Sequence, residues 1–463
     1  MKKTAVLNVV GLTPDLIGEH TPFLSDWFEK GQITSVDSML PAVTCSVQAT
    51  YLTGTMPDKH GIVANGWYFR DTSEVRFWMR SGKLIQQPAI WDTARRHDPD
   101  FTCANIFWRY ATYSGADYVA VERPMYRKDG VKVPDIYARP MSLRDKLQDK
   151  LGQFPLFNFW GPNTSIVSSQ WIADAAKMIA EEYDPTLSLV YLPHLDYCLQ
   201  REGPSIPNIK KDLREIDQVC EDLITYYEQR DTQVIVLSEY GIRSVQKPVS
   251  LNRVLRENGF ITVREEMGGE VLDAGASRAF AVADHQVAHI YIENPADIQS
   301  LKKMLEKVDG VERILDEKGK KEFDLDHNRS GELVAIAEPE AWFTYYYWLD
   351  DNKAPDFAPT VDIHAKPGYD PAEMILDPDI PFPKLKAGLR LLQKKMGFRY
   401  IMDLIPIEGS GVKGSHGRKE SDAGIRPIIA SRQPELIDEV KASRDGSVAP
   451  TAIHDIILNH LKG

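Results

Sequence analysis

The sequence predicts an α/β protein with a central, mainly parallel β-sheet and helices on both faces. Short apolar runs, typical of strands buried on both faces, occur at residues 4–10, 102–107, 187–192 and 232–237. Helical patterns separate these runs, at residues 22–30, 168–182 and 209–230. Strands and helices that alternate at this spacing are typical of a doubly wound sheet, whose ligands bind beyond the carboxyl ends of the strands.

The composition excludes several classes of protein. With 43% hydrophobic and 26% charged residues, the 463-residue chain is neither disordered nor fibrous. A net charge of −12 argues against a nucleic-acid polymer as partner. Four cysteines without CxxC spacing suggest reduced thiols and a cytoplasmic protein, and no run of 18 apolar residues predicts a membrane span.

The sequence pattern changes after residue 243. From there to residue 405, strand-like runs at 279–292 and 333–337 alternate with longer polar and proline-rich segments. We therefore predict a catalytic core formed by residues 1–243 and 406–463, with residues 244–405 inserted as an α+β cap. The core closes with an amphipathic helix near residues 452–461.

Polar side chains follow the predicted strands at four places. Asn8 lies at the end of the first strand, Asp196 and Glu239 follow later strands, and Thr44 begins a predicted helix. A threonine at a helix start presents its hydroxyl and the helix amides to one spot, which suits an anion. A carboxylate buried after an apolar strand needs a cation or a donor. Each feature alone is also compatible with an ordinary helix cap or loop residue.

Four segments together resemble the alkaline phosphatase superfamily, in particular its type I phosphodiesterase/nucleotide pyrophosphatase branch. They are PAVTCSVQATYLTGTMPDKHGI, YLPHLDYCLQREGP, VIVLSEYGI and GSHGR. The resemblance implies an alkaline-phosphatase-like fold and a site where a threonine or serine nucleophile lies beside two divalent metal ions. It places Thr44 at the nucleophile, and Asp196 and His416 at metal ligands.

The chain departs from the family pattern at several ligand positions. Val10 stands where the first strand of the family ends in Asp, and Asn8 is the nearest polar residue. Gln200, Glu239 and Tyr240 stand where the family has His, Asp and His. The resemblance thus implies one metal held by Asp196, His416 and Gln200, and another held by Thr44 and Glu239. Fewer imidazoles shift the preference from zinc toward manganese.

Other residues are candidates for substrate binding. The resemblance implies that Asn65 helps to hold the phosphoryl oxygens, and Asn8 and Tyr240 lie beside the expected metal positions. Trp108 could stack on a ring of the substrate, although such aromatics are more often part of a core. Further histidines could also serve as ligands, and the sequence leaves their roles open: His194, His285, His289 and His364.

These observations predict a metal-dependent hydrolase of phosphodiester or pyrophosphate bonds, with a phospho-threonine intermediate on Thr44. The cofactors would be one or two divalent ions, Zn or Mn, and the partner a small phosphorylated substrate. A phosphomutase or a phosphonate hydrolase is an alternative within the superfamily. A degenerate member that binds a phosphorylated metabolite or a partner without turnover is another, motivated by Val10, Gln200 and Tyr240.

Overall fold

The computed structural model describes residues 1–128, 131–439 and 446–463, and an eight-stranded sheet lies at its centre. The strands of this sheet are β1 (Thr4–Val9), β2 (Gln32–Ser35), β3 (Cys103–Ile106), β4 (Tyr118–Glu122), β5 (Ile136–Arg139), β6 (Leu187–Leu192), β7 (Gln233–Leu237) and β12 (Ile428–Ser431). Their order is β2-β12-β7-β1-β6-β3-β4-β5. The five strands from β7 to β4 run parallel, and β2, β12 and β5 pair antiparallel to their neighbours or to each other. The predicted α/β class is confirmed.

Helices connect and cover these strands. The longer ones are α1 (Pro22–Glu29), α2 (Thr44–Thr53), α3 (Ile90–His97), α4 (Met141–Leu151), α5 (Ile166–Tyr183), α6 (His194–Glu202), α7 (Ile206–Glu228), α8 (Leu251–Glu257), α9 (Ile298–Leu305), α10 (Pro383–Lys395) and α11 (Ala452–Lys462). Within the described ranges, no helix has the length and the apolar character needed to cross a membrane. Strands β1 and β6 are buried along their whole length, as their continuous apolar sequences predict.

A second, smaller sheet has four antiparallel strands, in the order β8-β9-β11-β10. Its strands are β8 (Ala279–Asp284), β9 (Val287–Ile292), β10 (Val311–Leu315) and β11 (Leu333–Ala337). The apolar run predicted at residues 279–292 is therefore a hairpin, which turns at His285 and Gln286. His285 has a φ of 60°, a conformation that residues other than glycine rarely adopt. The boundaries of the proposed cap stay a prediction.

Shorter strand pairs and helices complete the described fold. The pairs are Gly66–Phe69 with Glu74–Phe77, Met125–Tyr126 with Lys132–Val133, Arg243–Ser244 with Gly414–Ser415, Lys247–Val249 with Ala341–Phe343, and Val263–Glu266 with Gly269–Leu272. The short helices are Pro57–His60, Leu156–Phe159, Glu317–Glu322 and Pro434–Asp438. These segments mostly surround the two sheets rather than extend them.

Helix α2 lies between the two sheets, and all ten of its residues are buried. Val47, Tyr51 and Leu52 pack into the core around the large sheet. Cys45 and Ala49 pack into the core around the small sheet. The helix therefore has two apolar sides, because it has a core on each side of it.

We expect Leu189→Ala to lower the free energy of unfolding by about 2–5 kcal/mol, because it opens a cavity at a fully buried position in the middle of β6. Leu349→Ala is the matched control, since Leu349 is 52% exposed, and it should cost no more than about 0.5 kcal/mol. Urea denaturation of the three proteins measures both values. Equal losses in the two variants would contradict the described burial of the large sheet.

Candidate active site

Three neighbouring parallel strands end at the same edge of the large sheet. Strand β1 lies between β7 and β6, so that Asn8 of β1 pairs in register with Leu237 on one side and with Tyr191 on the other. Beyond this edge lie the residues after β7, which include Glu239 and Tyr240, and the first turn of α6, which carries Asp196. The strand order thus brings together segments that are far apart in the sequence.

The hydroxyl of Thr44 belongs to a chain of hydrogen bonds. Its Oγ1 lies 2.8 Å from the Tyr240 hydroxyl, which in turn donates to Asp196 Oδ1 at 3.1 Å. Because a phenol has a single proton and Tyr240 gives it to Asp196, the Thr44 hydroxyl is the donor to Tyr240. The arrangement connects a threonine hydroxyl to a carboxylate through one phenol.

Asp196 is buried and receives several contacts. Gln200 Nε2 donates to its Oδ2 at 3.0 Å, and His416 Nε2 lies 3.6 Å from its Oδ1. Burial raises the pKa of Asp196 to about 7, although the bonds from Gln200 and Tyr240 act in the opposite direction. At neutral pH this carboxyl is therefore poised between its protonated and ionised forms.

Glu239 is held by two side-chain amides. Asn8 Nδ2 and Gln48 Nε2 both donate to its Oε1, each at 2.6 Å, whereas its buried Oε2 has no hydrogen-bond partner. Burial raises the pKa of Glu239 to about 7, and the bonds from Gln48 and Asn8 oppose this rise. Gln48 lies one turn after Thr44 on the same face of α2, so one helix face carries both groups.

His416 is a buried, neutral imidazole in this site. Its Nδ1 bonds to the Ala42 carbonyl at 2.7 Å, and burial lowers its pKa to about 3, so Nδ1 carries the proton and Nε2 is left without a partner. Its ring stacks on Tyr240 with centroids 3.7 Å apart. His285, from the hairpin turn of the small sheet, lies 3.7 Å from His416 and stacks on Tyr369.

Asn65 lies beside the start of α2, in a closed set of hydrogen bonds. Its Oδ1 accepts from the Cys45 amide at 3.0 Å, and its Nδ2 donates to Asp284 Oδ1 at 3.0 Å. Its backbone amide also donates to Asp284, at 2.7 Å. The side chain that was predicted to hold phosphoryl oxygens is thus already bonded at both ends. Because Asp284 belongs to β8 and Cys45 to α2, these bonds through Asn65 fix the small sheet to α2.

A cavity of about 790 Å³ opens in front of Thr44. Thr44, Asp196 and Tyr240 line it, together with basic residues and aromatic rings; these are Arg80, Arg109, Lys132, Trp78, Trp160, Tyr191, Tyr197 and Tyr369. Arg109 donates to Glu122 at 2.9 Å, and its guanidinium lies 5.0 Å from the centre of the Trp78 ring. The cavity therefore combines positive charge with apolar walls.

Trp108 and Asn8, which were predicted to contact the substrate, do not line this cavity. Trp108 is completely buried in the core of the large sheet, which is the ordinary role of such a residue. Asn8 is completely buried as well, and its amide donates to Glu239. Of the four predicted substrate-binding residues, Tyr240 lines the cavity and Asn65 does not.

The remaining histidines lie in different surroundings. His194 would share a face with Asp196 only in an extended segment, and this segment is helical, since α6 begins at His194. His194 Nε2 instead lies 3.2 Å from Asp212 Oδ1, beside Glu215. His289 bonds to the Val63 carbonyl at 3.1 Å, as a core histidine does. His364 lines the cavity, and burial lowers its pKa to about 4.

The two sides of the site differ in the ligand atoms that they offer to a metal ion: Glu239 Oε2 and Asn8 Oδ1 are without a hydrogen-bond partner on one side, and His416 Nε2 on the other. On the side of Glu239, Val10 offers no ligand and is buried in the core, and the Tyr240 hydroxyl is used by Thr44 and Asp196. Gln200 was expected to be a ligand, but its Nε2 donates to Asp196 and its Oε1 accepts from Tyr369 at 2.9 Å. On the other side, the unpartnered Nε2 of His416 lies 3.6 Å from Asp196 Oδ1.

Sequence reasoning missed two residues of the site, Gln48 and Tyr369, and left the role of a third, His285, open. Gln48 could have been found from its spacing of four residues from Thr44, which puts both on one helix face. His285 lies in the hairpin turn of the small sheet with a positive φ, where a glycine would have marked the turn in the sequence. Tyr369 comes from an irregular, proline-rich segment. Neither has a periodic pattern that would predict its place.

Several known proteins resemble this chain in sequence. The sequence model of the type I phosphodiesterase / nucleotide pyrophosphatase family matches residues 4–370. An uncharacterized pyrophosphatase/phosphodiesterase of Schizosaccharomyces pombe is 24% identical over 254 residues, which are 53% of this chain and 43% of that protein. Ectonucleotide pyrophosphatase/phosphodiesterase 1 of Saccharomyces cerevisiae is 25% identical over 329 residues, 65% of this chain and 39% of that protein. The chain thus spans about two fifths of the length of these relatives.

Solved structures show the same fold. An inactive variant of murine ectonucleotide pyrophosphatase/phosphodiesterase 5 in complex with AMP has a TM-score of 0.59 at 14% identity, covering 100% of this chain and 95% of that one. Phosphonoacetate hydrolase from Sinorhizobium meliloti 1021, in complex with phosphonoformate, has a TM-score of 0.61 at 14% identity, covering 99% and 96%. With the match of its sequence over residues 4–370, the chain belongs to the type I phosphodiesterase / nucleotide pyrophosphatase family.

Proposed function

We propose that this protein hydrolyses phosphate esters, with phosphodiesters or pyrophosphates of aromatic groups as the substrate class and Thr44 as the nucleophile. The observation that carries the proposal is the hydrogen-bond chain from Thr44 through Tyr240 to Asp196 at the floor of the cavity. Membership of the family supports the reaction type. The aromatic walls of the cavity suit a nucleoside or an aryl group.

The chain of hydrogen bonds gives the Thr44 proton a path. As Thr44 Oγ1 forms its bond to phosphorus, its proton passes to the Tyr240 oxygen, and the Tyr240 proton passes to Asp196 Oδ1. The bond from phosphorus to the leaving oxygen breaks, which leaves a phospho-threonine and releases the leaving group as an anion that takes its proton from solvent. Water then attacks phosphorus, and the bond from phosphorus to Thr44 Oγ1 breaks. Asp196 and Tyr240 return the proton to Thr44, and the proton of the attacking water stays on the phosphate product or passes to solvent.

Charge near Thr44 favours an anionic substrate. Thr44 is the first residue of a ten-residue helix, whose N-terminus carries a partial positive charge. Arg80, Arg109 and Lys132 add full positive charges to the cavity wall. Arg109 is held by Glu122 and by the Trp78 ring, so its position is fixed before the substrate arrives. These groups would stabilise the charge on the phosphoryl oxygens.

We propose that the active site binds one divalent ion. Asp196 and His416 would hold it, because the His416 Nε2 is neutral, buried and without a partner 3.6 Å from Asp196 Oδ1. Such an ion would act as a Lewis acid on a phosphoryl oxygen. An oxygen-rich set with a single imidazole suits manganese as well as zinc. Glu239 would serve to position α2 rather than as a ligand.

We further propose that the protein works in a reducing compartment, the cytoplasm. All four cysteines are buried and unpaired: Cys45, Cys103, Cys198 and Cys220. Burial raises the pKa of the Cys45 thiol to about 12, which keeps this group, one residue after Thr44, in its unreactive form.

We expect Thr44→Val to reduce hydrolysis of an aryl phosphodiester by at least ~10³-fold, since it replaces the nucleophile by a side chain of equal shape. Thr44→Ser should keep measurable activity. Tyr240→Phe should lose ~10²-fold through the broken proton path, whereas Tyr197→Phe, another buried tyrosine of the cavity wall, should lose far less. Steady-state rates and circular dichroism measure activity and folding.

The outcomes of this experiment separate the alternatives. Wild-type rates in Thr44→Val would contradict the assignment of the nucleophile, and wild-type rates in Tyr240→Phe would contradict the proton path. If the folded wild-type protein hydrolyses no diester, pyrophosphate, monoester or phosphonate with any divalent ion, the protein is a binding member of the family without turnover.

We expect kcat/KM measured without added divalent ion to rise with pH through about 7 and to level off above it, and a saturating divalent ion, which binds Asp196 in its ionised form, to shift this rise to lower pH. Asp196 accepts the proton only in its ionised form, and burial raises its pKa to about 7 instead of the usual value near 4. The acidic limb of the profile therefore lies near neutral pH. Glu239→Gln, which keeps the acceptor for Asn8 and Gln48, should leave this limb in place. If the rise of kcat/KM with pH moves or disappears in Glu239→Gln, the group that titrates is Glu239 and not Asp196.

We expect the purified protein to bind no more than one equivalent of Mn²⁺ or Zn²⁺ in the active site. His416→Gln should weaken this binding by at least ~10-fold, because it removes the imidazole whose unpartnered Nε2 lies 3.6 Å from Asp196. His97→Gln, at an exposed position, is the control. Titration calorimetry measures the number of ions and their affinity, and two equivalents lost together in His416→Gln would contradict the one-ion site.

A further inference from the structure

The segment 382–401, which contains α10, exposes an unusual amount of apolar surface. Of the 19 large hydrophobic side chains that are exposed in the described parts of the chain, eight lie in this segment: Phe382, Leu385, Leu389, Leu391, Leu392, Met396, Phe398 and Ile401. No residue of α10 is buried. A helix of this composition normally turns its apolar side toward a core.

The exposed apolar residues form one stripe along the helix. Leu385, Leu389, Leu392 and Met396 follow each other at intervals of four, three and four residues, which places them on one face. They are between 51% and 63% exposed. We call these four residues the apolar stripe. The stripe faces solvent instead of the protein.

The opposite face of α10 contacts the rest of the protein. Ala387, Leu391 and Lys394, again spaced by four and three residues, line the wall of the active-site cavity. Lys386 and Arg390 bond to Asp403, which fixes the helix to the segment that follows it. One face of α10 therefore packs against the protein, and the opposite face, with the apolar stripe, is exposed.

The charge of the segment is opposite to that of the whole chain. Between residues 382 and 401 there are six basic residues and no acidic one; they are Lys384, Lys386, Arg390, Lys394, Lys395 and Arg399. With Asp403 included, the segment carries a net charge of plus five, in a chain whose net charge is −12. The basic residues flank the apolar stripe on both sides of the helix.

We propose that the apolar stripe docks on an anionic lipid surface. The stripe would enter the boundary between headgroups and acyl chains. Lys395 and Arg399, which neither bond to Asp403 nor line the cavity, would contact lipid phosphates. A second copy of this chain fits less well, because a symmetric contact through α10 would bring two segments of plus five together. Lipids supply both the apolar layer and the negative charge. This inference does not depend on the proposed function.

Flotation of the full-length protein with vesicles tests the proposal. Vesicles of phosphatidylcholine alone are compared with vesicles that contain 30% phosphatidylglycerol, on the order of one anionic lipid in three, as a probe of surface charge. We expect the wild-type protein to float with the anionic vesicles only, and at least ~10-fold less in 0.5 M salt, on the order of the screening expected at this ionic strength.

Substitutions in the apolar stripe provide the second arm. Leu389→Gln with Leu392→Gln should weaken vesicle binding by at least ~10-fold. Met141→Gln with Met267→Gln is the matched control, since these methionines are 87% and 90% exposed elsewhere on the surface, and it should bind as the wild type does. Circular dichroism establishes that each variant is folded. Neither Leu389 nor Leu392 lines the active-site cavity, so turnover of a soluble substrate should be unchanged.

Several results would overturn the proposal. One is a wild-type protein that floats with neither kind of vesicle, or equally with both. Another is vesicle binding that Leu389→Gln with Leu392→Gln leaves unchanged. A third is a wild-type dimer, measured by light scattering, that this double variant dissociates, which would assign the stripe to a second copy of the chain.

Discussion

The buried carboxylate of Glu239 is the constraint on which the arrangement of the site depends. A carboxyl group without water around it must be satisfied by donors or protonated. Here the donors are the amides of Asn8 and Gln48, which come from the first strand and from α2. Both must approach the same oxygen, so the ends of β1 and β7 and the first turns of α2 have little freedom relative to each other. The position of Thr44, one turn before Gln48, follows from this.

The large sheet could be predicted because burial on both faces leaves a clear pattern in the sequence. The run at 187–192 coincides with β6, and the other three runs agree with their strands to within one or two residues. The run at 279–292 was harder, since the chain reverses at His285, and neither glycine nor a typical turn dipeptide marks this reversal. A continuous apolar sequence does not distinguish one long strand from two strands of a buried hairpin.

In the site, the positions of the polar residues could be predicted but their bonds could not. Thr44, Asp196, Glu239 and His416 lie around Tyr240 or next to it along the chain, as the order of the strand ends suggested. Which oxygen accepts from which amide depends on the meeting of three or four distant segments. Asn65 and Gln200 show the difference: each has the chemistry of a ligand, and each is already bonded to a neighbouring side chain.

The burial of α2 has a consequence for how the molecule moves. Because its residues belong to the packed interior of both sheets, a hinge opening between the two sheets would expose the helix along its length. Such an opening would cost nearly as much as global unfolding, so the two layers should behave as one cooperative unit. Molecules that enter or leave the cavity must then rely on smaller fluctuations of its rim, and Thr44, at the start of α2, should keep its position while they pass.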